Sequence, residues 1–227
     1  ALLFRLGNVK KNIGYNREGR GFLLDFSPEI NYHKHYINRY AFLFNEYIGN
    51  KYVYLPELSL RYTGQKTFQF DNSHKTIALY LGGENKEFRK YPDEYAVQLL
   101  RLLNRQGYNL LLIGDENDNI KHTQYAEEAR IDHLINLTAR TTIEGFINTI
   151  ANVDLIITID SSALHIAAAV KTPFIALMGL STSPTSTILP KVPLGRILKI
   201  ENNLIREEDY IRNITPDLIL KTISELI

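Results

Sequence analysis

Asp160, Ser161, Ser162 and His165 lie in one stretch, DLIITIDSSALHIAAAV over residues 154–170. Its pattern is a buried strand, a two-serine turn and a helix of small residues. Ligands of open α/β sheets bind beyond the carboxyl ends of the strands, where helix N-termini offer free N–H groups and positive partial charge. Ser161 and Ser162 can cap the helix or donate hydroxyls to a phosphate. Asp160 can accept sugar hydroxyls, and His165 can donate to an oxyanion. The same residues would equally serve as a plain helix cap and a satisfied core histidine, because the turn carries no glycine fingerprint.

A second group is LGGENKEFRKYP, residues 81–92. Gly82 and Gly83 follow a strand and allow close backbone approach to a ligand, while Lys86, Arg89 and Lys90 add positive charge. A departing diphosphate needs such charge, although a solvated basic loop reads the same way. A third group, GDENDN at residues 114–119, has an Asp115-x-Asn117-x-Asn119 spacing close to a calcium loop. Ile120 and Ala126 stand where the glycine and the bidentate glutamate belong, so calcium is rejected. Asp118 at this strand end suits sugar hydroxyls. His33 and His35 lack a third ligand beside them and read as surface residues. Lys10, Lys11, Arg17 and Arg20 could meet an anionic acceptor or form an ordinary solvated face.

The elements that must hold these groups follow from residue 76 onward. Short β-branched runs alternate with helical patterns, as in βαβ units over a parallel sheet. Strands are expected at 76–81, 109–113, 134–137, 154–159 and 174–178. A helix is expected from Pro92, with Asp93 and Glu94 in its first turn, and others run through Tyr125 and Ala129, from near Thr142, and over 163–170. Thr215 and Pro216 open a C-terminal helix over 218–227. This is an α/β, doubly wound domain at 76–227. Residues 1–62 hold one clear helix, about 36–48, and lack repeated strand–helix units; they read as the tail of an incomplete domain. The polar stretch 63–75 reads as a linker.

Bulk properties narrow the class. The 227 residues are 44% hydrophobic and 22% charged, with a formal net charge of +1. Near-neutral charge argues against nucleic acid as the main partner. The absence of cysteine rules out disulfides and thiolate metal sites. No apolar run reaches the roughly 18 residues needed to span a bilayer.

Taken in order along the chain, these segments resemble glycosyltransferase family 9, the heptosyltransferases, and within it the heptosyltransferase II type. Arg89-Lys90-Tyr91-Pro92 stands where the family has K-x-W-P. Asp160-Ser161-Ser162-Ala163-Leu164-His165 matches D-[ST]-G-x-x-H. Next come Ala167-Ala168-Ala169, then Lys171-Thr172-Pro173, and Met178-Gly179-Leu180-Ser181-Thr182-Ser183-Pro184 at F-G-x-[ST]-x-P. Asn136-Leu137-Thr138-Ala139-Arg140-Thr141 is similar to N-L-A-G-x-T, and Ile13-Gly14-Tyr15 with Glu18-Gly19-Arg20 to I-G-Y…E-G-R.

The resemblance implies a GT-B enzyme of two Rossmann-like domains, in which the C-terminal one binds the donor. It implies that Arg89 contacts the donor diphosphate, Asp118 the heptose, and Thr141 the adenine side. Gly82, Gly83, Asp160, Ser161, Ser162 and His165 would line the diphosphate-sugar crevice. The reaction would be inverting transfer from ADP-heptose to the lipopolysaccharide inner core. It needs no cofactor or metal, and it takes place in the cytoplasm with a lipid-linked acceptor at the inner membrane. Arg89 replaces a lysine, Ser162 a glycine and Tyr91 a tryptophan. The family's early G-D-x-x motif, with its aspartate general base, is not in the sequence. On this resemblance about 100 residues of a Rossmann-like domain precede Ala1, and the residues in hand are expected to bind nucleotide sugar weakly or not at all and not to turn over. Two other classes compete: a nucleotide-sugar-binding module without catalysis, and a NAD-dependent epimerase. The latter is disfavoured because no G-x-G-x-x-G follows a strand.

Overall fold

A computed structural model of the chain describes residues 2–32, 36–49, 58–70, 73–82, 89–179, 189–190, 192–200 and 206–227. The chain divides into two compact units, Ala1–Glu57 with Ser183–Leu189, and Leu58–Thr182 with Pro190–Ile227.

In the first unit, helix α1 (Leu2–Leu6) leaves Leu2, Leu3, Phe4 and Leu6 exposed. A single parallel bridge joins Ile13 to Phe26. Helix α2 (Tyr36–Ile48) buries Arg39 and Leu43 and exposes Tyr40 and Phe44. The Tyr15 hydroxyl donates to the Arg39 carbonyl, and the Arg39 guanidinium donates to the Tyr32 carbonyl.

The second unit is built on a six-stranded parallel sheet: β1 (Thr76–Tyr80), β2 (Asn109–Leu112), β3 (Ile135–Asn136), β4 (Leu155–Ile159), β5 (Phe174–Leu177) and β6 (Gly195–Leu198). The strand order is β3-β2-β1-β4-β5-β6. The central strand sets the register, with Ile77 opposite both Leu110 and Leu155. Every residue of β1, β2, β4 and β5 is buried. That is the expected condition of a parallel sheet covered on both faces, and it explains strands written as unbroken apolar runs.

The crossovers are α3 (Asp93–Arg105), α4 (Asn119–Ala129), α5 (Ile143–Ala151) and α6 (Ser162–Val170), with α7 (Pro216–Ile223) closing the chain. Side chains start three of them: Thr142 caps α5, Ser161 caps α6 and Thr215 caps α7. Helix α6 ends on Lys171 in the left-handed region. Thr172 then returns its N–H to Ala167 and its hydroxyl to the Ile150 carbonyl. The K-T-P triplet is therefore a helix stop that also ties α6 to α5.

The stretch read from sequence as a linker makes specific contacts within this unit. Gly64 N–H donates to Asn148 Oδ1, the Asn148 amide donates to Thr63 Oγ1, and the Thr67 and Thr149 hydroxyls lie 2.6 Å apart. These bonds satisfy Asn148 and Thr149, both buried on α5. Strand β6 and helix α1 were not anticipated from the sequence. Among the described residues no helix is long and apolar enough to cross a membrane.

Candidate functional site

Strand order reverses between β1 and β4, because the chain leaves β1 toward β2 on one side and returns to β4 on the other. The carboxyl ends of those two strands therefore open a crevice, the usual ligand position in such sheets. The segments that follow them carry most of the sequence-derived candidates.

Beyond β4, Asp160 leads into the α6 cap. Ser161 Oγ accepts from Ala163 N–H at 3.2 Å and lies 2.9 Å from Thr158 Oγ1. Ser161 is thus engaged in starting the helix, whereas Ser162 and His165, in its first turns, are exposed. Beyond β1, Arg89 returns toward the same place. Its Nη2 lies 3.8 Å from Asp160 Oδ2, with both side chains largely sheltered, at 20% and 15% exposure. Two groups 71 positions apart in sequence thus meet at the switch point, next to the N-terminus of a nine-residue helix. Such a helix end and a guanidinium together suit an anion with several oxygens. An acidic group beside them suits hydroxyls.

Tyr91 fixes the exit of the Arg89 segment. Its ring is buried, and its hydroxyl donates to the Ile214 carbonyl at 2.8 Å. Burial pushes the phenol well above its ordinary range, so it stays a neutral donor. The proline that follows caps α3 without a side-chain hydrogen bond.

Asp118 sits on the other side of β1. A reciprocal capping box holds the turn after β2: Asp115 accepts from Asn117 N–H at 2.8 Å, and Asp118 Oδ2 accepts from Asp115 N–H at 3.2 Å. The calcium-like spacing of the acidic residues is a helix start. Asp118 is 5% exposed, and its carboxylate is wedged against two glycines. A Cβ on Gly82 would fall 1.7 Å from Asp118 Oδ1, and one on Gly114 would fall 2.7 Å from Oδ2. Gly82 therefore admits a protein carboxylate into close backbone contact.

Thr141 follows β3, outside the charged pair and just before the α5 cap. Its loop is anchored by residues the sequence reading passed over. Ala139 N–H donates to the Gly114 carbonyl at 3.2 Å. Thr138 Oγ1 lies 2.7 Å from Nδ1 of His122 on α4, and both residues are buried. Burial drives the His122 pKa down to about 4, so the ring is neutral near pH 7. Nothing in the i, i+3 pattern of α4 distinguishes His122 from a surface histidine, because its partner is 16 residues away in sequence. Gly83 and Lys86, along with His33, His35 and the segment 180–188, lie outside the described residues. Among the described residues no group of three His, Asp or Glu side chains stands close enough to hold a metal ion.

Comparison with known proteins supports the same class of fold. The family model for glycosyltransferase family 9 (heptosyltransferase) matches residues 1–208. The chain belongs to glycosyltransferase family 9. It is 31% identical over 158 residues to lipooligosaccharide heptosyltransferase 2 of Haemophilus influenzae, covering 64% of this chain and 45% of that protein. It is 25% identical over 172 residues to lipopolysaccharide heptosyltransferase 2 of Salmonella typhimurium, covering 70% and 49%. The matched region thus spans about half the length of these curated relatives. Among solved structures, the ADP-heptose lps heptosyltransferase II of E. coli superposes with a TM-score of 0.81 at 22% identity, over 99% of this chain and 72% of that one. The fold is that of the GT-B type heptosyltransferase structures.

Proposed function

We propose that this chain carries the donor-binding part of an inverting glycosyltransferase of the heptosyltransferase II type, which moves heptose from ADP-heptose to the inner core of lipopolysaccharide. The observation that carries this reading is the meeting of Arg89 with Asp160 at the strand-order switch point, beside the N-terminus of α6. On this reading the guanidinium and the helix amides hold the diphosphate and stabilise its charge as the glycosidic bond breaks. Asp160 accepts sugar hydroxyls, and Ser162 and His165 lie within the donor's reach. The β3–α5 loop with Thr141 lies on the nucleotide side. No metal is required, because Arg89 and the helix end supply the positive charge. The acceptor is lipid-linked, which puts the reaction at the cytoplasmic face of the inner membrane.

Inversion requires a base on the side of the sugar away from the leaving diphosphate, within hydrogen-bond reach of the acceptor hydroxyl. The family's early G-D-x-x motif, with its aspartate base, is not among residues 1–227, so the base is assigned to a part of the enzyme outside these residues. One observation supports the assignment: the curated relatives are about twice as long as their matched regions. Supplying residues 1–227 alone with ADP-heptose and a heptose-bearing acceptor should give no transfer, whereas the protein at its full natural length should turn over. Brisk transfer by residues 1–227 would overturn the assignment of the base. Failure of the full-length protein with every acceptor, despite tight donor binding, would favour a binding module instead.

A further inference from the structure

We propose that His122 and Thr138 form a positioning pair that holds the loop after β3 in shape for the nucleotide end of the donor, an inference that rests on the donor-site reading above. Both residues are buried, at 0% and 1% exposure, and Nδ1 and Oγ1 are 2.7 Å apart. Thr138 is doubly fastened, since its own N–H donates to Asn136 Oδ1 at 3.0 Å. The next residue, Ala139, is bent into the left-handed region with φ +60° and bonds across to the Gly114 carbonyl. A non-glycine residue stays in that conformation only when its surroundings enforce it.

The enforcing contacts form a continuous rim along the carboxyl edge of three neighbouring strands. Thr138 and Ala139 follow β3. Gly114 follows β2 and touches Asp118, which in turn lies against Gly82 after β1. The His122 ring, reaching in from α4, is the contact that braces this rim from the helix layer. Its Nε2 is buried without a hydrogen-bond partner. A ring kept dry at that atom is held for the bond its other nitrogen makes, since an orphaned polar atom is otherwise unfavourable. Arg140 and Thr141, the next two residues, leave the rim toward the α5 cap.

The test uses the protein at its full natural length and four variants: His122→Leu, His122→Asn, Thr138→Val and the double change His122→Leu with Thr138→Val. Asparagine keeps a polar atom near the Nδ1 position, and leucine keeps only bulk. ADP affinity is read by calorimetry and loop order by amide hydrogen exchange. His122→Leu and Thr138→Val should each weaken ADP binding about ten-fold, the effect of one lost buried hydrogen bond. Exchange at residues 138–141 should speed up similarly while β1 and β4 amides stay protected. The double variant should be no worse than either single one, and His122→Asn should recover most of the affinity. Unchanged ADP affinity in folded variants, or equal loss of protection across the whole sheet, would overturn the inference while leaving the donor site standing. If the unaltered protein shows no heat with ADP, the donor reading itself fails and takes this inference with it.

Discussion

At the scale of single residues, the site depends on a few side chains whose partners are far away in sequence. Arg89 replaces a lysine of the family pattern, and its planar fork can hold a carboxylate such as Asp160 and a phosphate oxygen in one plane, which an ammonium cannot do. Ala139 stands where the family pattern has glycine, and the structure shows what that substitution means. Its φ of +60° is a conformation a Cβ disfavours by about 1 kcal/mol or more. Ala139→Gly should therefore raise stability, by roughly 0.5–1 kcal/mol after allowing for glycine's freer unfolded chain. Denaturant midpoints check this, and a lower midpoint would mean the loop is not strained there.

At the scale of elements, the rim works because glycines let protein groups interpenetrate. Gly82→Ala would push a methyl group into the Asp118 carboxylate, and a buried clash of that kind costs about 1–3 kcal/mol. The carboxylate is the obstacle, so Gly82→Ala and Asp118→Ala together should cost less than the sum of the two single changes. Additive losses in urea melts would show that the wedge plays no part. This coupling was not legible in the sequence. Gly82 reads there as a ligand approach and Asp118 as a sugar contact, and only the sheet brings residues 36 apart into contact. The main strands, by contrast, could be read directly, because burial on both faces writes them as apolar runs between turn residues. Strand β6 escaped because Gly195 and Arg196 interrupt its pattern and its residues are only partly covered. Helix α1 escaped because five residues are too few to show a period. The Arg89–Asp160 meeting follows from the reversal of strand order, which puts the carboxyl ends of β1 and β4 side by side; in the sequence the two residues are brought to one crevice only by the family resemblance. The His122–Thr138 pair was not anticipated, because it depends on which face α4 turns inward.

At the scale of the whole molecule, one buried group sets a pH response. His122 titrates near pH 4 in the folded protein, against 6.5 for an ordinary histidine. Between those values the unfolded chain binds the proton more readily, so stability is full above about pH 6.5 and falls as pH drops toward 4. The slope reaches about 1.4 kcal/mol per pH unit. His122→Asn should flatten that part of the stability–pH curve in chemical denaturation. An unchanged slope would mean other groups control acid unfolding.

The proposed donor site holds a diphosphate between Arg89 and the α6 N-terminus. The most direct measurement is calorimetric titration of the full-length protein with ADP-heptose, ADP and UDP-sugars, repeated on Asp160→Ala and Arg89→Ala. ADP and ADP-heptose should bind and UDP-sugars should not. Arg89→Ala should weaken ADP by about ten-fold or more, as expected for a lost charge-assisted contact of about 1.5–3 kcal/mol. Asp160→Ala should weaken ADP-heptose more than ADP. ADP binding that is indifferent to Arg89, or equal affinity for UDP-sugars, would contradict the account.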